Sequence, residues 1–223
     1  NNNNNNNNNT LLHVECFGHR INTIFTHLCN DIDKNGVKVT SPTQLIIDIV
    51  KNVTDRVTRS VKNREELERV QTANNLDVLL PITIPATRWS YIVLFFRRTL
   101  KIYSSFAIMD TTKMYFKAPI EFEKMEWTEN LKKLEDIIED IRIIMPVFEH
   151  MFYWITKTES STFPTISIVK YAIDDIIATC ETTIVVAANK NKFSSYQIAQ
   201  QILKEINENV FKDWSKKPLY KVS

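Results

Sequence analysis

Glycine is nearly absent from this sequence, whose 223 residues include only Gly18 and Gly36. Phosphate-cradling loops of the GxGxxG and GxxxxGK kinds need glycines a few residues apart, because their backbone must approach the phosphates closely. The sequence therefore excludes a Rossmann-type cofactor site and a P-loop. Few glycines and scattered prolines also favour helices over a fold built from β-hairpins.

Cysteine and long apolar runs are scarce too. Three cysteines, with no secretory signal segment, are typical of a reducing compartment. No apolar run approaches the ~18 residues that a membrane-spanning helix needs, so we expect no membrane partner. A net charge of +2 is too small to predict nucleic-acid binding by itself.

In many segments of the sequence, the apolar residues recur with the periodicity of a helix. Residues 1–10 begin with a run of asparagines, a low-complexity tract that we predict to be disordered. Residues 11–16 alternate weakly in hydrophobicity, as in a short β-strand. Apolar spacing and capping residues then predict helices over about 18–31, 42–57, 63–73, 87–107, 128–155, 165–184 and 195–214. With an extended connector over 76–85, the expected fold is mainly α, with one short leading strand.

Two of these helices carry specific signals. Ser41 followed by Pro42 predicts the N-cap and first residue of the second helix, and Thr128 is expected to cap the longest. Between 131 and 155, apolar residues recur at alternating spacings of three and four, which is a heptad seam. We interpret the seam as a bundle core; the alternative is that it joins copies of the chain into a homo-oligomer. Pro146 lies within this helix and is expected to kink or split it.

Cys16 and His19 form a Cys-x-x-His pair at the predicted change from strand to helix. A zinc site needs four ligands, usually in two such pairs, and the sequence has no second pair. A cysteine nucleophile needs an oriented base and an oxyanion site, and nothing in the sequence supplies them. From the residues alone, the plain interpretation is a buried thiol beside a hydrogen-bonded histidine. We therefore predict no metal site and no catalytic residue within this chain.

The segment "PATRWSYI" places Arg88 and Trp89 after a proline-bounded connector and at the start of a helix. An exposed tryptophan can stack on an unpaired base, and the neighbouring arginine can hold a phosphate. The alternative is that Trp89 is simply the first residue of the buried stripe of its helix.

Adjacent acids occur three times on predicted helices. The pairs are Glu135-Asp136, Glu139-Asp140 and Asp174-Asp175. Because they fall on polar faces, we interpret them as solvated surface rather than as catalytic pairs.

Four segments, in order, resemble motifs of hAT-superfamily transposases. "ECFGHRINTIF" resembles their C-x-A-H-x-L-N-x-I/V segment, and "PATRWSYIVLFFRRTLK" looks like their T-R-W-N-S-x-Y-x-M-L-x-R-L-L-K segment. "IIMPVFEHMFYWITK" is similar to L-x-P-F-E-x-x-T-x-x-L, and "FPTISIVKYAI" to Y-P-T-L-S-x-V-x-P-x-I. Together they cover about residues 11 to 214. The second segment is shortened here, since Ser90 precedes Tyr91 directly where the family has Asn-Ser-x-Tyr.

The resemblance implies an RNase H-like α/β catalytic core that is interrupted by a large, all-helical insertion domain. Residues 11–17 would be the last strand of a truncated core, 18–215 the helical insertion domain, and 216–223 a tail leading back towards the core. Cys16 and His19 would then mark the junction of core and insertion, near the active site of the whole enzyme.

The resemblance also implies DNA as the partner. Trp89 would stack on a base flipped out near the transposon end, with Arg88 as its support. In the family, the catalytic carboxylates lie before the Cys-x-x-His motif and after the insertion, and they hold Mg²⁺ or Mn²⁺ ions that drive strand cleavage. We therefore expect this chain by itself to cut no DNA and to bind no cofactor. A nuclear location is implied by the resemblance alone.

The expected function is that of a fragment or remnant of a hAT-like transposase, which binds DNA without a complete catalytic site. One alternative is a domesticated, hAT-derived regulator of the BED zinc-finger type that binds DNA without transposing. The other is a helical interaction module that oligomerises through the 131–155 seam. Polar substitutions at Ile138 and Ile141 separate this last hypothesis from the others, because a surface seam would then give folded monomers.

Overall fold

The computed structural model describes residues 17–30, 32–34, 37–83, 91–159 and 166–211. These residues form a mainly α fold, as the sequence predicts. Its elements are α1 (Phe17–Cys29), β1 (Ile32–Lys34), β2 (Val37–Val39), α2 (Pro42–Thr58), α3 (Val61–Ala73), α4 (Tyr91–Ala107), α5 (Ile120–Glu159), α6 (Ile166–Asn189) and α7 (Phe193–Glu205), which continues as a π-helical segment (Ile206–Phe211). The asparagine tract, the predicted strand over 11–16 and the tail over 216–223 lie outside the described residues.

The β-hairpin between α1 and α2 is not predicted by the sequence analysis. Its strands β1 and β2 pair antiparallel, with Ile32 opposite Val39. The signal is the dipeptide Asn35-Gly36, which lies outside the described residues. Asn-Gly between two short runs is the strongest local sign of a two-residue hairpin turn.

Ser41 caps α2 as predicted. Its Oγ accepts a hydrogen bond from the Gln44 N–H over 3.1 Å and donates one to the Leu28 carbonyl over 2.6 Å. The side chain therefore ties the end of α1 to the start of α2. On the apolar face of α2, Ile47 is buried, whereas Leu45 is 50% exposed.

The longest helix, α5, begins at Ile120 rather than at Thr128. The Thr128 hydroxyl donates to the Lys124 carbonyl over 3.0 Å, a bond typical of a threonine inside a helix. The first turn instead carries Glu121 and Glu123, which favour a helix N-terminus electrostatically. At 40 residues, α5 is about 60 Å long. It continues through Pro146. Of the two predicted effects of this proline, a kink or a split, the split is wrong and the kink stays a prediction.

The heptad seam of α5 is the core of the bundle. Ile138, Ile141 and Phe148 are at most 5% exposed, and α5 packs against α1, α2, α4, α6 and α7. The Phe148 ring lies 5.4 Å from that of Phe25 in α1 and 6.1 Å from that of Phe96 in α4. The bundle interpretation is confirmed, because the central seam is buried within the single chain.

Helix α4 runs antiparallel to α5. Near the start of α4, Phe96 stacks on Phe148. Near its end, Phe106 meets the edge of Trp127, with ring centroids 6.5 Å apart. The Tyr91 end of α4 therefore lies beside the C-terminal part of α5.

Helix α6 is also antiparallel to α5. Asp175, early in α6, bonds to Trp154, and Lys190, directly after α6, bonds to Glu139. Helix α7 follows a short turn and packs along α6, so it returns towards the C-terminal end of α5. The π-helical segment Ile206–Phe211 extends it in that direction.

Helices α2 and α1 complete the bundle. Arg56, near the end of α2, pairs with Glu123 at the start of α5, so α2 is antiparallel to α5. The start of α2 is bonded to the Leu28 carbonyl, while Phe25 lies farther along α5, against Phe148. Helix α1 therefore begins near the C-terminal end of α5.

Candidate functional site

Of the four residues that the sequence analysis singles out, the structure describes one. His19 lies in the first turn of α1 and is exposed. Cys16 precedes the described residues, and Arg88 and Trp89 fall in the segment 84–90, which is not described. Their placement therefore remains a prediction.

The chain on the N-terminal side of this segment is held against the bundle. The Gln71 carboxamide accepts from the Leu79 N–H and donates to the Leu79 carbonyl, each over 3.0 Å. Arg98 in α4 donates to the Leu80 carbonyl over 2.6 Å. These bonds hold Leu79 beside α3 and Leu80 beside α4.

Helix α4, on the other side of the segment, is cationic. It carries Arg97, Arg98 and Lys101 and no acidic residue. Arg97 donates to Glu149 of α5 over 3.0 and 3.1 Å, and Lys101 is exposed. Arginine and lysine side chains on a helix surface are the groups that bind phosphate oxygens in nucleic acids.

Four of the undescribed parts of the chain border the same end of the bundle. From the helix directions given above, this end contains the start of α1 at Phe17, the start of α4 at Tyr91, the end of α5 at Glu159, the start of α6 at Ile166 and the end of the π-helical segment at Phe211. We call it the junction end. Tyr91, which directly follows the segment that contains Arg88 and Trp89, is thus one of its members.

A hydrogen-bonded cluster links α5 to α6 near the junction end. Asp175 Oδ2 accepts from His150 Nδ1 and from Trp154 Nε1, both over 2.7 Å. Thr179 donates its hydroxyl to the Asp175 carbonyl over 2.8 Å. Since a carboxylate only accepts, Nδ1 is the donor in the bond to Asp175. The His150 side chain is 43% exposed.

The sequence analysis misses this cluster. It interprets Asp175 as solvated surface and does not single out His150. The two residues are 25 positions apart on different helices, so no local spacing indicates their contact. Asp174, the other member of that acidic pair, is exposed as expected.

Aromatic surface is exposed close to the cluster. The Tyr153 side chain is 53% exposed and packs edge-on against Trp154, with ring centroids 5.0 Å apart. Tyr171, one turn before Asp175 in α6, is 69% exposed. Exposed rings of this kind can stack on the faces of bases whatever their sequence.

The acids of central α5 have structural partners. Asp140 is only 6% exposed, and it accepts from both the backbone N–H and the hydroxyl of Ser195 over 3.0 Å. The interpretation of Asp140 as solvated surface is therefore wrong. Glu139 pairs with Lys190 and Arg142, and these bonds lower its pKa below the usual value.

Two cysteines lie among the described residues, and both are buried. Burial raises the pKa of the Cys29 thiol and of the Cys180 thiol to about 12. A thiol reacts as its thiolate, so neither can act as a nucleophile at neutral pH. Within the described ranges, no three histidine, cysteine, aspartate or glutamate side chains are grouped so that they could hold a metal ion.

Comparison with known proteins does not assign the chain to a family. No family model, no curated protein and no solved structure matches it. Among the described helices, none is both long enough and apolar enough to cross a membrane.

Proposed function

We propose that this chain is a DNA-binding helical domain of the hAT-transposase type, which grips DNA with Arg88 and Trp89 at the junction end. In this proposal the helical bundle is inserted into an RNase H-like core. The bundle positions the DNA, and catalytic groups outside this chain act on it.

The main support is the position of Phe17 and Phe211. Both lie at the junction end, because α1 begins there and the π-helical segment ends there. An inserted domain has to leave its host fold and return to it, which is simplest when its first and last elements lie close together. A bundle with its two ends at opposite poles would be poorly suited to this architecture.

The chemistry of the junction end also supports DNA as the partner. Helix α4 carries the exposed Lys101, together with Arg97, which pairs with Glu149, and Arg98, which donates to the Leu80 carbonyl; Tyr153 and Tyr171 add exposed rings. Cations hold the phosphate backbone, while aromatic rings stack on unpaired bases. The resemblance to the family's Arg-Trp motif gives Arg88 and Trp89 the corresponding roles.

The experiment is a binding titration with two DNA hairpins that differ only in one unpaired base. We expect tighter binding to the hairpin that contains the unpaired base. Trp89→Ala should weaken that binding by ~1–3 kcal/mol, while Trp89→Phe retains most of it because a ring can still stack. Arg88→Ala should weaken binding to both hairpins and lower the salt dependence by about one phosphate contact.

Folding has to be measured on the same variants. A Trp89→Ala chain that binds weakly but melts at the wild-type temperature supports the stacking role. If the substitution lowers the melting temperature by several degrees and leaves the preference for an unpaired base intact, Trp89 belongs to the helix core. Equal affinity of the wild-type chain for both hairpins would contradict the proposal.

A further inference from the structure

An open groove lies between α5 and α6 on the surface of the bundle. Its volume is about 590 Å³, which is within the ~300–1,000 Å³ of typical ligand sites. The middle of the groove is lined by Pro146 from α5 and by Ala178, Thr179 and Thr182 from α6. Because these side chains are compact, the two helices leave a depression along the line where they meet.

The groove continues towards the junction end as a surface that carries exposed side chains. His150, one turn after Pro146, has its Nδ1 3.5 Å from the Thr179 hydroxyl of the groove wall. Tyr153 follows on α5 and is 53% exposed. The residues that recur along α5 at spacings of three and four, and therefore share one face of the helix, are Glu139, Arg142, Pro146, His150, Tyr153 and Lys157. The groove and the Tyr153 ring are thus parts of one continuous path.

The Tyr153 ring is held in position by a series of contacts. It packs edge-on against Trp154, whose Nε1 donates to Asp175 of α6 over 2.7 Å. The same carboxylate oxygen accepts from His150. A ring that is fixed before binding loses less entropy when a ligand stacks on it. Tyr171, one turn before Asp175, is 69% exposed and adds a second ring on the α6 side of the path.

The charges along this path favour an anionic partner. At the far end of the groove, Glu139 pairs with both Arg142 and Lys190, so these three side chains together keep one positive charge. Two exposed lysines and one exposed acid flank the rings, namely Lys157, Lys170 and Asp174. Four cations therefore line the path against three acids when the Asp175 carboxylate is counted and His150 is neutral. The excess is small, so the rings have to supply much of the binding energy.

We propose that this path binds a single DNA strand, whose bases stack on Tyr153 and Tyr171 and whose backbone follows the groove. The inference rests on the proposed function, because the strand would continue from the unpaired base at Trp89. Aromatic rings bind unpaired bases whatever their sequence, and cations along a groove hold the backbone. A duplex does not offer the faces of its bases to such rings. From Tyr153 to Arg142 the path is ~16 Å long, which corresponds to ~5 stacked nucleotides.

The experiment is a binding titration of the full-length chain with three DNA hairpins, each of which contains the unpaired base. One hairpin ends bluntly beside that base, and the second carries a single-stranded extension of ~5 nucleotides there. The third carries an abasic extension of the same length and charge. We expect the normal extension to bind at least about fivefold more tightly than the abasic one, which is the lower limit for one stacked base.

Substitutions of the two tyrosines test the stacking. Tyr153→Ala and Tyr171→Ala should each reduce the gain from the extension, whereas Tyr153→Phe and Tyr171→Phe should keep it because a ring can still stack. Tyr115→Ala is the matched control. Its side chain is 52% exposed and lies beside Glu123 at the other end of α5, so the full gain should remain. Since all three rings are exposed, the melting temperatures should stay at the wild-type value.

Lys190→Gln tests the contact with the backbone of the strand. The substitution leaves Arg142 paired with Glu139 and so removes the excess positive charge at the far end of the groove. The salt dependence of binding to the extended hairpin should fall by about one phosphate contact, while that of the blunt hairpin stays unchanged. Lys62→Gln, at an exposed position of α3, is the control and should change neither.

The outcomes separate this inference from the proposed function. A preference for the unpaired base without any gain from the extension would overturn the strand path alone. Equal affinity for the abasic extension would also overturn it, because charge alone would then drive binding, as it would for an acidic peptide. If Tyr153→Ala destabilises the fold through its contact with Trp154, Tyr171→Ala decides, and an undiminished gain in that variant contradicts the path. A gain that depends on the tyrosines, without any preference for an unpaired base, would contradict the role of Trp89 alone.

Discussion

The Asn63 carboxamide holds the main chain of Tyr115 at both of its polar groups. Nδ2 donates to the Tyr115 carbonyl over 3.3 Å, and Oδ1 accepts the Tyr115 N–H over 2.6 Å. Nδ2 also donates to the Arg56 carbonyl over 3.0 Å. Since Asn63 is only 1% exposed, one side chain connects the end of α2, the start of α3 and the loop before α5 away from water.

Replacing Asn63 should therefore destabilise the fold. Asn63→Ala leaves three backbone groups without this partner, and we expect a loss of about 2–3 kcal/mol in the free energy of unfolding. Urea denaturation measures it. Asn52→Ala, at an exposed position of α2, is the matched control and should change stability by less than ~0.5 kcal/mol. Equal losses in both variants would contradict the role of Asn63.

Substitutions in the seam of α5 test whether it is the core of one chain or an interface between chains. Ile141 is fully buried within the single chain, so Ile141→Asn should unfold or strongly destabilise it by ~3 kcal/mol or more. Val185→Asn, at a position 58% exposed on α6, is the control and should leave the chain folded. For both variants, light scattering measures the oligomeric state and circular dichroism measures whether the chain is folded. A folded Ile141→Asn monomer, obtained from a wild-type oligomer, would show that the seam joins two chains.

A buried carboxylate makes the fold sensitive to acid. Glu66, whose side chain is 3% exposed, accepts from Arg69 and from the Asp110 N–H. The bond with Arg69 lowers the pKa of Glu66 below its ordinary value of 4.5. The charged form is therefore favoured by folding. Its contribution is complete above pH ~4.5 and is lost as the pH falls through the lowered pKa.

Glu66→Gln tests this linkage. At pH 7 the variant should be less stable than wild type by about 1.5–3 kcal/mol, because bonds to a charged group are lost. The difference should shrink when the melting temperatures are compared below pH ~4.5. Glu65→Gln, at an exposed position, should show neither effect. If the stability difference between wild type and Glu66→Gln stays constant across the acid range, Glu66 stabilises the fold through its packing and not through its charge.

The buried thiols provide a chemical test of the core. Because burial raises their pKa to about 12, Cys29 and Cys180 should resist a thiolate-selective reagent at pH 8. Both should react once urea unfolds the chain. Peptide mapping after a timed reaction identifies the modified cysteines, and rapid labelling of Cys180 in the folded state would contradict its place in the core.

Most helices could be predicted because their signals are local. Ser41 and Pro42 identify the start of α2 by themselves, and the three-and-four spacing of α5 identifies its buried face. Leu45 shows the limit of such reasoning. It is apolar and 50% exposed, while Ile47 on the same helix is buried. Which of the two faces the core depends on the helices that pack against α2.

The candidate sites also include some that could be predicted from the sequence and some that could not. Arg88 and Trp89 could be selected from a contiguous motif. The His150–Asp175 bond could not, because it joins residues 25 positions apart on two different helices.

Photo-crosslinking tests the central claim most directly. A hairpin DNA with a single unpaired, photoreactive base is irradiated with the full-length chain, and the crosslinked peptides are mapped by mass spectrometry. The proposal predicts crosslinks within residues 84–90 that decrease in Trp89→Ala. Crosslinks confined to other parts of the chain, or none despite measurable binding, would contradict the claim that Arg88 and Trp89 grip DNA at the junction end.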